Sequence, residues 1–216
     1  MKRPGPLLTL LVGVLLGLSM LAFNTATGTR SAPSSSAAEP ERPPSAEAPA
    51  ASSPAAPPRA PAPDGAYTGR TDDDSAAVAV TVRDRRAVAY YCDGRARESW
   101  LRGEVRDDGG MRLTGKDGAE LNGTLRQGRR IRGTVDAGGG HQAFTADRAE
   151  KPSGPYRATA DVRDTTIDGG WVVLKDGGQV GILTRDGTPG PAPRIDPETG
   201  VAAVDGRRIT ARPVTP

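Results

Sequence analysis

The chain has 216 residues, of which 25% are charged and only 4% aromatic, and a formal net charge of +3. Its single cysteine, Cys92, excludes an intrachain disulfide and a zinc site of the CxxC type. From residue 64 onward, 24 basic and 23 acidic residues are interspersed, with no basic stripe interleaved with aromatic platforms, so the pattern argues against a nucleic-acid-binding chain.

Residues 1–6 form a short basic lead, Met-Lys-Arg-Pro-Gly-Pro. Leu7 to Phe23 is an uncharged, mostly apolar run of 17 residues. As a helix it would rise about 26 Å, close to the hydrocarbon thickness of a bilayer. Residues 1–23 therefore read as a signal anchor, with a cleaved signal peptide as the alternative. The cleavage-site matches, Ala22-Phe23-Asn24 and Asn24-Thr25-Ala26, are weak. Lys2 and Arg3 precede the run, which predicts a single pass with the N-terminus inside and residues 30–216 outside. Cleavage would instead secrete the remainder.

Residues 24–63 consist largely of Ala, Pro, Ser, Thr and Glu, with almost no large apolar side chain. Such a stretch buries too little surface to offset its ordering entropy. It reads as a disordered Pro/Ala/Ser-rich linker, extended where prolines favour polyproline II.

The predicted globular part is all-β. Val78, Val80 and Val82 alternate along one strand, and Arg83-Asp84-Arg85-Arg86 turns the chain. In Ala87 to Cys92, alternation puts Val88, Tyr90 and Cys92 on one face and Ala87, Ala89 and Tyr91 on the other. Four segments then begin ten residues apart, at Leu101, Met111, Leu121 and Ile131. Three share one pattern, Leu101-Arg102-Gly103-Glu104-Val105, Leu121-Asn122-Gly123-Thr124-Leu125 and Ile131-Arg132-Gly133-Thr134-Val135. Gly- and Asp-rich stretches between them supply turns. With a last strand around Phe144, this predicts an antiparallel meander of about seven strands over residues 64–150, closed as a small barrel or packed as a sandwich.

Lys151-Pro152-Ser153-Gly154-Pro155 breaks the pattern. Beyond it, Gly154-Pro155-Tyr156 echoes Gly65-Ala66-Tyr67, and Trp171 to Asp176 echoes Ala79 to Asp84. About four strands are expected in residues 151–216, too few for a secure core of their own. They are predicted to be additional hairpins that pack on the first sheet or extend it.

Candidate chemistry is sparse. His141, the only histidine, sits beside Gly138-Gly139-Gly140 and is predicted to lie in a solvated loop. A hydrolase would have to combine it with a carboxylate such as Asp72 or Asp108. Cys92 reads as a small core hydrophobe and not as the partner of His141. Asp72-Asp73-Asp74 lacks EF-hand spacing and reads as a solvated loop, with calcium binding as the sharper alternative. Asn122-Gly123-Thr124 fits a glycosylation sequon but belongs to the repeated strand pattern. No catalytic residue, metal ligand or cofactor is assigned. The large side chains Tyr90, Tyr91, Trp100, Phe144 and Trp171 are expected in the core. Tyr91 and Trp100 are the candidates for a binding face, should a concave surface form.

The basic-apolar start, the Ala/Pro/Ser stalk, Ala87-Val88-Ala89-Tyr90-Tyr91-Cys92-Asp93-Gly94 and Glu98-Ser99-Trp100-Leu101 resemble exported, membrane-anchored actinobacterial proteins of uncharacterised function. The resemblance covers roughly residues 65–150 and implies no activity for any residue. The leading expectation is a membrane-anchored cell-envelope β domain that binds an envelope protein or a small ligand. The alternatives are a calycin-like barrel carrying an apolar ligand, a hydrolase using His141, and an inert spacer.

Overall fold

The structure, a computed structural model, describes residues 62–216. The expected membrane segment over residues 7–23, and all of the linker over 24–63 except its last two residues, lie outside the described residues. Among the described residues, no helix is long and apolar enough to cross a membrane.

Eight antiparallel strands close into a barrel: β1 (Gly65–Thr71), β2 (Ala77–Arg83), β3 (Arg86–Cys92), β4 (Glu98–Val105), β5 (Gly110–Gly115), β6 (Glu120–Arg126), β7 (Arg130–Ala137) and β8 (Gly140–Ala149). Each strand pairs with the next. Closure comes from β1 pairing with β8 over Ala66↔Ala149 to Thr71↔Phe144. The barrel is therefore an uninterrupted meander, and of the two architectures expected from the sequence it is the barrel that forms.

The ten-residue spacing places Leu101, Met111, Leu121 and Ile131 inside, each no more than 3% exposed. The registers Leu113↔Leu121, Leu125↔Ile131 and Leu121↔Val135 stack these residues on one face. Val78, Val80 and Val82 line β2, and Ala87, Ala89 and Tyr91 line β3. Tyr67 and Tyr91 stand toward opposite ends. The Tyr67 hydroxyl donates to the Gly128 carbonyl at 3.2 Å, and that of Tyr91 to Gln142 Oε1 at 2.6 Å.

The repeated glycines have a steric reason. A Cβ on Gly133 would lie 2.0 Å from the Asn122 carbonyl oxygen, and one on Gly103 2.3 Å from that of Arg112. At these points the neighbouring backbone occupies the side-chain position, as tight coiling of a small barrel requires. Gly69, on β1, is tighter still, with Thr145 O at 1.9 Å. That explains why the sequence yields seven strands where eight exist. β1 carries one large inward side chain, Tyr67, and a glycine where the alternation needs its next apolar residue.

The second half departs further from expectation. It contains seven strands: β9 (Gly154–Val162), β10 (Thr165–Val173), β11 (Gln179–Arg185), β12 (Thr188–Pro191), β13 (Val201–Val204), β14 (Arg207–Thr210) and β15 (Arg212–Pro213). Five form a sheet in the order β12-β11-β10-β9-β15, and β13-β14 is a separate hairpin. This half has its own core, including Tyr156, Ile167, Trp171, Leu183, Ile195 and Ile209. The hairpin and the segment before it cover one face of the sheet. Trp171 Nε1 donates to Pro193 O at 2.8 Å, and the Gln179 side chain brackets Ile195 by bonding both its N–H and its carbonyl at 2.9 Å. Tyr156, Ala158 and Val162 of β9 and Ile167, Trp171 and Val173 of β10 supply this core in alternation, and Ile195 joins it from a segment outside any strand.

The other face of this sheet rests on the barrel wall. Ala77, Ala79, Tyr90 and Cys92 point outward from β2 and β3 and are buried against Val172, Leu174 and Ile182. The barrel strands β2 and β3 are thus covered on both sides, which is why Arg86 is their one exposed residue besides Arg83. The echo between the halves stops at the level of hairpins. Tyr67 pairs with Val80, whereas its counterpart Tyr156 pairs with Trp171, the counterpart of Ala79. A one-residue slip exchanges the faces of a strand. Val80 accordingly fills the barrel, while Val172, in the matching position, lies between the halves.

Candidate functional site

The β3–β4 connection is built on Asp93. Its Oδ1 accepts the backbone N–H groups of Arg95, Ala96 and Arg97 at 2.8–3.0 Å, and its Oδ2 accepts Arg97 Nε at 3.1 Å. Burial alone would raise the Asp93 pKa, but these donors outweigh it and hold the carboxyl below the ordinary range. The loop presents Glu98 and Trp100 at the start of β4, on the barrel's outer face beside the second sheet.

A crevice of about 420 Å³ opens there, lined by Arg97, Glu98, Trp100, Lys116, Arg157 and Asp168 among others. Trp100 is half-buried. Its ring stacks on Tyr90 with centroids 4.2 Å apart, and the Arg157 guanidinium carbon lies 5.5 Å from the ring centroid. Arg157 also forks onto Asp168, with Nε to Oδ1 at 3.0 Å and Nη2 to Oδ2 at 2.7 Å. The Tyr90 hydroxyl donates to Glu98 Oε2 at 2.5 Å.

Glu98 is the carboxyl in this crevice whose environment raises its pKa. Burial pushes its carboxyl above the ordinary glutamate range and the Asp168 charge adds to the rise, while the Tyr90 hydroxyl and Arg157 pull it back. Tyr90 is itself held well above the usual phenol range, first by burial and then by Cys92 and Glu98. The crevice thus combines an aromatic edge, a partly desolvated carboxyl, a forked Arg–Asp pair and the ammonium of Lys116, which has no acidic partner within 4 Å among the described residues.

Tyr91 and Trp100 do not meet. Tyr91 pairs with Ser99 and points into the barrel, fully buried, whereas Trp100 pairs with Tyr90 and points outward. Alternation separates them, so a face carrying both does not form. Cys92 is buried, but in the layer between the halves and not in the barrel core, and burial pushes its thiol up to about 12. The barrel interior is taken up by Tyr67, Tyr91, Phe144 and the aliphatic residues around them, none more than 7% exposed.

His141 is the second residue of β8 instead of lying in a loop, and it is exposed. Its partner is Asp136, directly opposite on β7, with Nδ1 and Oδ1 2.6 Å apart. Asp108, in the β4–β5 turn, is at the other end of the barrel, and Asp72 donates its N–H to Ala143 O without a side-chain link to His141. The shallow hollow at His141, about 320 Å³, is lined by Gly118, Ala119, Asp136 and residues 137–140, with no hydroxyl or thiol among them. Within Asp72-Asp73-Asp74, Asp73 binds the Ser75 N–H and hydroxyl, and Asp74 pairs with Arg70. Among the described residues, no group of three or more His, Cys, Asp or Glu side chains is placed to hold a metal.

Sequence reasoning found Trp100 and missed Tyr90, Glu98, Arg157 and Asp168 as its neighbours. Glu98 and Trp100 are two residues apart on one strand face, a signal present in the sequence. Arg157 and Asp168 arrive from β9 and β10, and only the docking of the two halves brings them in. No family model, curated protein or solved structure matches the chain.

Proposed function

We propose that this chain is an exported, membrane-anchored binding protein of the cell envelope, with the crevice at Trp100 as its ligand site. The export reading rests on the basic lead and apolar run of residues 1–23 and on the Pro/Ala/Ser stalk behind them. The binding reading rests on one observation. Glu98 is kept partly desolvated at the mouth of a crevice that also offers Trp100, Arg157 and Lys116, which has no acidic partner among the described residues. Perturbed titratable groups beside an aromatic in a concave site are the usual signature of ligand recognition. The ligand that fits is a small polar molecule with an anionic group for Lys116 and a hydrogen-bonding group for Glu98.

The test is native mass spectrometry of the full chain extracted from producing cells, beside Lys116→Ala and Trp100→Ala. A stoichiometric small molecule on the wild type that is absent from both variants supports the reading. A bare wild-type mass, or a ligand retained equally by both variants, overturns it.

A further inference from the structure

Beyond the crevice, we propose a second site, a groove over β6, β7 and β8 that binds a linear phosphate-bearing polyanion. The groove encloses about 690 Å³ and is lined chiefly by Arg126, Arg129, Arg130 and Arg132, with Thr124 and Asp147. Arg126 and Arg130 are direct cross-strand partners, Thr124 faces Arg132, and Arg130 faces Asp147. These are outward positions at the barrel end that carries the β6–β7 turn, away from the crevice, whose residues lie at the β3–β4 end.

The charge is unbalanced. Asp147 is the groove's one carboxylate and is held by Arg130 at 2.5 Å, which keeps it below the ordinary aspartate range. Arg126, Arg129 and Arg132 have no acidic partner within 4 Å among the described residues, and all three are exposed. On other parts of the barrel surface, Arg112 is matched by Glu120 and Arg85 by Asp107, while Arg83, Arg86 and Arg102 also lack an acidic partner within 4 Å among the described residues; what sets the groove apart is that four arginines line one concavity. Like charges directly across a strand pair oppose folding. Outward barrel positions accept any polar residue, so the fold itself does not call for arginine at 126, 130 and 132.

Guanidinium groups fork onto phosphate oxygens, and several in succession suit several phosphates in succession. Strand spacing of about 4.8 Å and a two-residue rise of about 6.8 Å spread the attachment points over a grid along which several phosphates can be met in succession. The concave shape suits a chain better than a flat headgroup surface. No aromatic side chain lines the groove, so base stacking of single-stranded nucleic acid has no platform.

The experiment measures binding of labelled inorganic polyphosphate to the full chain by fluorescence anisotropy across a salt series. Wild type is expected to bind with a log-log salt slope that the triple variant Arg126→Gln, Arg129→Gln, Arg132→Gln reduces by about two, at roughly 0.7 for each phosphate no longer neutralised. Its affinity should fall more than tenfold. The triple Lys variant should keep the slope, which separates removal of charge from failure to fold. Arg102→Gln, on the outward face of β4, should bind as wild type. The proposal is overturned if the Gln triple binds like wild type, or if Arg102→Gln weakens binding as much. Polyglutamate binding as tightly as polyphosphate, or orthophosphate competing at equal phosphate concentration, also overturns it.

Discussion

The Tyr90 ring is held between two neighbours, stacked on Trp100 at 4.2 Å and pressed against the backbone of Gly170, where a Cβ would lie 2.4 Å from the tyrosine Cζ. Gly170 belongs to β10 of the second sheet, so this contact joins the barrel to the other half. Gly170→Ala is expected to displace Tyr90, break its bond to Glu98 and cost about 2 kcal/mol, within the usual range for overpacking. Denaturant unfolding and near-ultraviolet circular dichroism read both effects. Unchanged stability with an unchanged aromatic spectrum would mean that the stack does not hold the halves together.

The repeated glycines make a sharper comparison, because two with the same sequence pattern meet different surroundings. A Cβ on Gly133 meets the Asn122 carbonyl oxygen at 2.0 Å, whereas on Gly123 the nearest atom is a methyl of Ile131 at 3.2 Å. Backbone cannot give way as a side chain can. Gly133→Ala is expected to destabilise by about 3 kcal/mol or to prevent folding, and Gly123→Ala by about 1 kcal/mol or less. Equal unfolding midpoints for the two variants would remove the steric account of the repeat.

That comparison also marks how far the sequence could be read. Period-two alternation with Gly/Asp turns identified β2 to β8, because each turn needs residues tolerant of positive φ and each strand offers at least two inward apolar side chains. β1 escaped because Gly69 stands where the signal should be, and the second core escaped because Ile195 reaches it from a segment outside any strand and Ala202, Val204 and Ile209 from a short hairpin. Of the crevice, only the Glu98–Trp100 spacing was legible. Alternation within β3 correctly set Tyr90 apart from Tyr91, but it does not say which face looks into the barrel, since both faces are buried.

Thr68 carries the one buried side-chain polar atom without a hydrogen-bond partner among the described residues, its Oγ1. It sits on β1 opposite Ala79, a residue of the layer between the halves, and is 3% exposed. An unpaired buried hydroxyl costs free energy that an isosteric methyl does not. Thr68→Val is expected to raise stability by about 1 kcal/mol. A lower unfolding midpoint would indicate that the hydroxyl has a partner, such as bound water.

Cys92 lies in the same layer, and burial pushes its thiol up to about 12. The thiolate is the reactive form, so iodoacetamide at pH 8 should leave the folded chain unlabelled and modify it fully in denaturant. Rapid native labelling would show that the layer between the two halves opens readily.

Glu98 sets a dependence on pH opposite to that of Asp73 and Asp147. Hydroxyls of Thr71 and Ser75 lower Asp73, and Arg130 lowers Asp147. Their contributions are complete above the ordinary carboxyl range and are lost as pH falls through their depressed native values. Glu98 is raised, first by burial and then by Asp168. Between the ordinary glutamate value, about 4.3, and its higher native value, the folded state binds more protons than the unfolded one. Stability from this group therefore falls as pH rises through that window, and the charged form carries the full penalty above it. Glu98→Gln keeps an acceptor for the Tyr90 hydroxyl and removes the charge. The stability of the variant minus that of wild type is expected to increase as pH rises from 4 and to level off once pH has passed the native value of Glu98. Urea unfolding of both proteins across that range measures the difference directly. A difference that shrinks with pH would mean that Glu98 gains more from Arg157 and Tyr90 as an anion than burial takes away, and the crevice would then favour a charged carboxylate at its mouth.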